Sequence, residues 1–383
     1  MRVAAVAGSD IGHLLPVVAV AVGLRDRGHD VTVVAGARWR RDVEHAGCRF
    51  RQLPQAATDD RDADLGWRLW GRGAVLAPAL AAVLGPLRVD HVVADSLTAT
   101  GGFAAELLDR PWTEVVPHWL AQPSKVLPPV GLGALPTGNP LRRLSHRHLR
   151  RRQRRSAVDG RRQRAEARRR LGLSGAGGPT LRLVATLPAL EPSRPDWPPH
   201  TFVVGALSWE PPSWPVLEPP RGDEPLVVVS DTTASGVERS LVERALPGLR
   251  SEPVRVVATT VRSLEGGDRV VVGRGRHTPL LERAACAVGT AGGGFVAKAL
   301  TAGIPLVAVP LHGDQLETAA RVVRARAGLR LRWADATPDR IRDAVATVIG
   351  DHRYRDAARR AAHDAAGLGR DRAAELIEHR GLR

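Results

Sequence analysis

Cysteine, lysine and long apolar runs are scarce in this chain, and each scarcity argues against a class of structure. The two cysteines, Cys48 and Cys286, stand without CxxC or Cys/His clustering, which argues against a disulfide framework or a structural zinc site. No run of about eighteen consecutive apolar residues occurs, and the short run from Val3 to Ala7 ends at Gly8, as a strand does and a signal peptide does not. We therefore expect a cytoplasmic protein without integral membrane association.

Aromatic residues make up only 4% of the chain, whereas its net charge is +16. Only Lys125 and Lys298 are lysines, and much of the arginine lies between Arg142 and Arg170. This segment suits the solvated face of a helix, an acidic partner, a membrane surface or a nucleic acid. No aromatic residue lies among these arginines to stack on bases, so we favour the solvated face and expect no nucleic-acid partner.

Strand and helix patterns alternate in both halves of the sequence. The first half opens with a strand from Arg2, a tight loop and an apolar helix from His13, and the second restarts with a strand at Leu226. Such alternation predicts parallel sheets with helices on both faces. Prolines are dense after Gly205 and predict a stiff linker. We therefore expect a domain over residues 1–205, a linker over 206–225 and a domain over 226–383, with the last helix a candidate to return to the first domain.

A glycine-rich turn, Gly289 to Gly294, lies between a predicted strand and the start of a helix. Unpaired backbone N–H groups and the positive end of the helix dipole attract anions there, so a diphosphate is the natural ligand. The spacing is neither GxGxxG nor a Walker loop, and a plain strand-to-helix turn explains it equally well. Ligands of open parallel sheets bind beyond the carboxyl ends of the strands, so we expect one cleft between the two sheets.

Several motifs extend over most of the chain in a fixed order. They are Gly12 to Pro16, Arg27 to Val31, Leu190 to Pro192 with Asp196 and Trp197, Gly205 to Pro211, Ala291 to Gly294, Lys298 to Pro305, Pro310, and Asp314 with Gln315. The set resembles the GT-B glycosyltransferase family that includes UDP-glucuronosyltransferases, plant natural-product glucosyltransferases and bacterial macrolide and antibiotic glycosyltransferases. The resemblance implies an α/β fold of two Rossmann-like domains facing each other across a cleft.

The resemblance also implies a donor site in the second domain. Gly292, Gly293 and Gly294 would hold the diphosphate, and Asp314 and Gln315 would bind hydroxyls of the donor sugar. For Asp314, a helix N-cap is the alternative reading.

Four positions depart from the family pattern. Thr290 replaces a usual His, Phe295 a Thr, Lys298 a Glu, and Thr318 an Asn. Thr290 can still donate a hydrogen bond and Lys298 can pair with phosphate, so both are assigned to the donor site. Either the donor is unusual or the site has drifted from catalysis.

The resemblance places a catalytic base at His13 and its carboxylate partner at Asp95; a polar cap and a helix cap are their structural alternatives. A neutral imidazole takes a proton from the acceptor hydroxyl, and the carboxylate orients the ring and stabilises the imidazolium. The acceptor is expected under the loop from Pro117 to Pro140, near His118 and Trp119. Trp67 and Trp70 are expected in the same neighbourhood.

These residues predict an inverting transferase that moves a sugar from UDP or TDP to a small apolar acceptor, without a metal or another cofactor. A nucleotide-sugar epimerase shares the architecture but needs several acidic residues around the sugar. A non-catalytic homologue that binds sugar nucleotides or assists another enzyme is the main alternative. The sequence does not define the oligomeric state, and a homodimer is left open.

Overall fold

The computed structural model describes residues 1–8, 10–55, 64, 66–135, 139–232 and 239–381. Within these ranges the chain forms two parallel sheets, each flanked by helices on both faces. Residues 233–238, within which the sequence predicts that a helix begins, lie outside the described residues.

The first sheet contains seven described strands. They are β1 (Arg2–Val6), β2 (Asp30–Ala35), β3 (Arg49–Gln52), β4 (His91–Asp95), β5 (Trp112–Val116), β6 (Leu181–Val184) and β7 (Thr201–Val203). Their order is β3-β2-β1-β4-β5-β6-β7, and all are parallel. The helices of this half are α1 (Ile11–Asp26), α2 (Arg40–His45), α3 (Arg72–Leu84), α4 (Ala99–Leu107) and α5 (Pro140–Arg170).

The second sheet contains six described strands. They are β8 (Leu226–Ser230), β9 (Arg255–Thr259), β10 (Val270–Gly273), β11 (Cys286–Gly289), β12 (Leu306–Ala308) and β13 (Gly328–Arg330), in the order β10-β9-β8-β11-β12-β13. Its helices are α6 (Leu241–Leu249), α7 (Thr278–Leu281), α8 (Gly293–Thr301), α9 (Asp314–Arg324), α10 (Pro338–Gly350), α11 (His352–Asp364) and α12 (Arg370–Arg380).

The central strands are buried on both faces, which explains their unbroken apolar sequences. Every residue of β8 is buried, as are four of the five in β1. Gly28 follows α1 with a φ of 84°, a left-handed conformation that suits glycine and ends the helix. The chain then enters β2 beside β1.

The helix α12 packs against the first domain. Ala373 and Ile377 belong to the same buried apolar cluster as Val17 and Val20 of α1. The two helices approach closely at Gly23, where an added Cβ would lie 2.8 Å from the carbonyl oxygen of Arg370. The return of the last helix was left as a candidate by the sequence, and the coordinates place it there.

The proline-dense segment between β7 and β8 contains no described helix or strand. It is not a solvated spacer, because Trp209 and Trp214 are buried in the apolar cluster of the first domain. The predicted stiff linker is therefore packed along the protein.

Candidate active site

A cleft of about 390 Å³ lies between the two sheets, beyond the carboxyl ends of their strands. Its first wall comes from the start of α1 and the segment after β5. Its second wall comes from the glycine turn between β11 and α8 and from the start of α9. The fold therefore brings the predicted base and the predicted donor-binding turn to one cavity.

His13 and Asp95 are in direct contact on the first wall. The Nδ1 atom of His13 lies 2.5 Å from Oδ1 of Asp95, whose side chain is only 2% exposed. The other carboxylate oxygen accepts a 2.7 Å hydrogen bond from the hydroxyl of Thr98, which in turn accepts from the backbone N–H of Gly8. Because β1 and β4 are adjacent strands, the loops that follow them meet at this point.

The local fold sets the ring of His13 on the first turn of α1. Asp10 is the N-cap of this helix, and its side chain accepts from the backbone N–H of Gly12 at 2.8 Å. With Nδ1 bound to Asp95, the remaining ring nitrogen of His13 is available to the cleft. The capping roles that were the alternatives for His13 and Asp95 belong to other residues. Asp10 caps α1, and Thr98 is the N-cap residue of α4.

The pKa values of His13 and His118, two of the histidines that line the cleft, are shifted in opposite directions. Burial is the largest influence on the pKa of His13 and lowers it, but the hydrogen bond and charge of Asp95, with Asp10 and Asp314, outweigh burial and leave that pKa raised. Burial lowers the pKa of His118, whose Nδ1 donates to the carbonyl of Trp119 at 2.7 Å. His118 is thus held neutral near His13, with ring centroids 6.1 Å apart.

The glycine turn faces these histidines. Helix α8 begins at Gly293. Its N-cap, Gly292, has no side chain that could accept from the first backbone N–H groups of the helix, so these groups remain directed toward the cleft. A side chain at Gly293 would start 3.4 Å from the Cβ of His118, whereas Gly294 faces open space. Thr290 lines the same cavity although it is only 4% exposed.

Asp314 and Gln315 lie at the start of α9, also on the second wall. The N-cap is Gly313 and not Asp314, so the capping alternative for Asp314 was wrong. The side-chain oxygen of Gln315 accepts from the backbone N–H of Leu311 at 2.9 Å. Its amide N–H₂ group is the part left for a sugar hydroxyl.

Lys298 lines the cleft, but its ammonium is already paired. Nζ lies 2.7 Å from Oε1 of Glu210, and both side chains are at most 10% exposed. Glu210 also accepts from the backbone N–H of His277 and of Thr278. Burial is the largest influence on the pKa of Glu210 and raises it, but the charge and hydrogen bond of Lys298, together with the backbone N–H of His277, outweigh burial and leave that pKa below its ordinary value. The sequence missed Glu210, which is 88 residues from Lys298.

The tryptophans expected around the acceptor lie elsewhere. Trp119 is 6% exposed, and its indole N–H donates to the hydroxyl of Thr318 at 3.2 Å, so it joins the two domains behind the cleft. Trp67 and Trp70 line a separate groove beside α5. Of the predicted acceptor residues, only His118 lines the cleft.

A buried arginine behind the cleft escaped the sequence analysis. Arg321 of α9 lies 3.0 Å from Glu191 and 3.0 Å from Glu317, and it is 2% exposed. The same two carboxylates accept from the backbone N–H groups of Leu120 and Gly131, which belong to the loop predicted to cover the acceptor. This loop of the first domain is thereby bonded to the second domain; residues 136–138 of it lie outside the described residues.

Comparison with known proteins gives this geometry a context. The family described as "Erythromycin biosynthesis protein CIII-like, C-terminal domain" matches residues 257–378. The chain is 30% identical to 4'-demethylrebeccamycin synthase of Lentzea aerocolonigenes, an alignment that covers 90% of each chain. It belongs to the antibiotic glycosyltransferase family.

Two further comparisons agree with this family assignment. O-mycaminosyltylonolide 6-deoxyallosyltransferase of Streptomyces fradiae is 29% identical over 99% of this chain and 97% of its own length. The glycosyltransferase SsfS6 of Streptomyces sp. SF2575, solved with thymidine diphosphate, shares the fold with a TM-score of 0.68 at 20% identity, covering 99% of both chains. The predicted GT-B fold and glycosyltransferase activity are confirmed.

The shifted pKa of His13 gives a testable pH dependence. If His13 is the base of the glycosyltransferase, it must be neutral, so the initial rate is expected to rise with pH through a midpoint above the ordinary value of about 6.5. Asp95→Asn removes the charge that favours imidazolium, and the midpoint should move to lower pH while the maximum rate falls.

Asp10→Asn is the matched control for this pH profile. Asparagine still caps α1, and the charge of Asp10 contributes less to the pKa of His13 than Asp95 does, so the midpoint should move less. Rates measured from pH 5.5 to 9 separate the variants. Equal midpoints in the unaltered protein and Asp95→Asn would contradict His13 as the titrating base.

Proposed function

We propose that this glycosyltransferase inverts the anomeric carbon as it transfers a sugar from a thymidine or uridine diphosphate donor to a small apolar acceptor, without a metal. One observation carries the proposal: a His13–Asp95 pair on one wall of the cleft faces a helix-starting glycine turn on the other. The first supplies a base and the second an anion site, the two groups that such a transfer needs.

The base acts on the acceptor hydroxyl. The free ring nitrogen of His13 takes the proton as the acceptor oxygen bonds to the anomeric carbon, and the bond from that carbon to the diphosphate oxygen breaks. Asp95 is held by His13 and Thr98 and stabilises the imidazolium. Because both carboxylate oxygens of Asp95 are hydrogen-bonded, Asp95 is not free to attack the anomeric carbon itself. The acceptor oxygen then displaces the diphosphate directly, and the configuration at the anomeric carbon inverts.

Negative charge develops on the leaving diphosphate, which lies at the glycine turn. Backbone N–H groups at the start of α8 and the helix dipole are oriented before the reaction and stabilise that charge, with the Thr290 hydroxyl beside them. This preorganised site takes the place that a cation has in other transferases.

The donor is proposed to be a thymidine or uridine diphosphate sugar. SsfS6, which shares this fold, was solved with thymidine diphosphate. The Lys298 ammonium already neutralises Glu210, so the pair offers a ribose little net charge. A deoxyribose, with one hydroxyl fewer to satisfy, suits such a site, and we place TDP before UDP.

The direct test is isothermal titration of the protein with TDP, UDP and their glucose conjugates, with and without EDTA. We expect micromolar binding of TDP that EDTA leaves unchanged. Gly293→Trp should abolish it, because the indole would fill the space between the turn and His118, whereas Gly350→Ala, at an exposed glycine that does not line the cleft, should retain binding.

The non-catalytic alternative draws on the departures at Thr290 and Lys298, and the ammonium of Lys298 is already paired with Glu210. Binding without turnover for any sugar nucleotide, in a screen of apolar alcohols and phenols, would favour that alternative. Absence of all binding would reject the transferase and favour a non-catalytic homologue that assists another enzyme.

A further inference from the structure

After Arg72 in its first turn, the outer face of α3 is apolar. Its inner face, with Gly73, Ala77 and Leu80, is buried in the first domain. The opposite face consists of exposed or half-buried apolar residues: Val75, Leu76, Pro78, Ala79, Ala82 and Val83. A surface helix normally turns polar residues outward, yet Val75 is 58% exposed.

The segment Trp67–Leu87 around α3 is long and apolar enough to cross a membrane. Length and composition alone are weak evidence, because core helices of soluble proteins pass the same test. Here the inner face packs into the domain core, so the helix cannot leave to span a bilayer. Its outer face can therefore meet a bilayer only by lying along the membrane surface.

The basic helix α5 runs beside α3. Ala167 of α5 packs in one buried cluster with Ala74 and Ala77 of α3, and the Arg164 guanidinium lies 5.8 Å from the ring centroid of Trp70. Its sequence holds 14 arginines against two acidic residues. The helix is about 46 Å long, and its part around Arg164 and Ala167 places cationic charge beside α3.

We propose that the outer face of α3 together with α5 docks this protein on an anionic lipid bilayer. The apolar face enters the boundary between headgroups and acyl chains, and the arginines bind lipid phosphates. This peripheral contact goes beyond the proposed transfer reaction, and its test does not depend on that reaction.

Other occupants fit the same surface less well. A second copy related by a two-fold axis would bring two α5 helices of like charge together. A nucleic acid would pair with the arginines, but it would leave the apolar residues of α3 in water, and no aromatic side chain of α5 could stack on its bases.

The position of the surface formed by α3 and α5 relates membrane binding to the transfer reaction. Ala99, where α4 begins just after Asp95, lies against Gly73 of α3. On α5, Gln153 is hydrogen-bonded to Val130 of the loop after β5. The bilayer would therefore lie next to the acceptor side of the cleft, from which an apolar acceptor dissolved in lipid can enter.

The test is co-sedimentation with phosphatidylglycerol/phosphatidylcholine vesicles at 50 and 150 mM NaCl. We expect binding at least about tenfold weaker to pure phosphatidylcholine. The double variant Val75→Asp/Ala82→Asp should lower binding to anionic vesicles at least about tenfold. So should Arg→Gln at four exposed positions of α5, namely Arg151, Arg154, Arg155 and Arg161.

The matched control changes four exposed arginines of the linker and the second domain to glutamine: Arg221, Arg340, Arg359 and Arg360. It carries the same loss of charge and should keep its vesicle binding. All variants should keep the thermal unfolding midpoint and the TDP affinity of the unaltered protein, which separates failure of this proposal from failure of the donor site.

Three results would overturn the proposal. One is vesicle binding that the aspartate variant leaves unchanged or that the control loses equally. Another is duplex DNA bound more tightly than vesicles and insensitive to the aspartates. The third is a dimer in sedimentation velocity that the aspartates dissociate.

Discussion

The His13→Ala variant is expected to transfer sugar about 10²- to 10⁴-fold more slowly than the unaltered protein, with TDP affinity nearly unchanged. The side chain contacts Asp95 and the acceptor side of the cleft, whereas the diphosphate turn begins on the other wall. The loss should therefore appear in kcat and not in the dissociation constant of the nucleotide. Steady-state rates and calorimetry on the same preparation measure both.

His118→Ala serves as the comparison for His13. His118 lines the same cleft, but its pKa is lowered and its Nδ1 is bonded to a backbone carbonyl, so it lacks the carboxylate that would make it a base. Its removal should mainly raise KM for the acceptor. If His13→Ala kept more than about a tenth of the activity, general base catalysis by this residue would be refuted.

Arg321→Leu should lower the free energy of unfolding by about 3–5 kcal/mol, because it leaves the buried carboxylates of Glu191 and Glu317 without a cation. Both carboxylates bridge the domains through the loop after β5, so loss of their partner also frees that loop. Urea titration followed by far-ultraviolet circular dichroism measures the change.

Two companion variants separate lost charge balance from lost packing. Adding Glu191→Gln and Glu317→Gln to Arg321→Leu removes the uncompensated charges while an amide oxygen still accepts from each backbone N–H, so part of the stability should return. Arg332→Leu breaks an exposed pair with Asp335 and should have no measurable effect. A loss in Arg321→Leu no larger than in Arg332→Leu would contradict the role of the buried network.

Much of the fold follows from patterns that the sequence displays locally. Apolar strands such as β1 and β8 alternate with helices, and this alternation predicted two parallel sheets. The family resemblance paired His13 with Asp95, and the fold explains their contact because the loops after β1 and β4 share one sheet edge. Here the two residues are 82 positions apart, yet neighbouring strands align them.

Contacts between the domains could not be predicted in this way. Glu210 lies in the linker and Lys298 in the second domain, and no periodic pattern in the sequence indicates that this carboxylate lies opposite an ammonium. Trp119 was expected near the acceptor under the loop after β5, but packing against Arg321 and Thr318 places it between the domains. The relative orientation of the two domains determines which of these residues meet, and the periodicity of the sequence carries no information about that orientation.

The docking of α12 on α1 bears on how the protein is made. A ribosome delivers the residues of the first sheet long before Arg370–Arg380, which complete the packing around α1. Although domains usually fold in the order of their synthesis, the apolar side of α1 stays uncovered here until the second domain has been translated. A chain that stops before α12 would expose that side to solvent, so the packing of the first domain depends on a helix that is translated after the second domain.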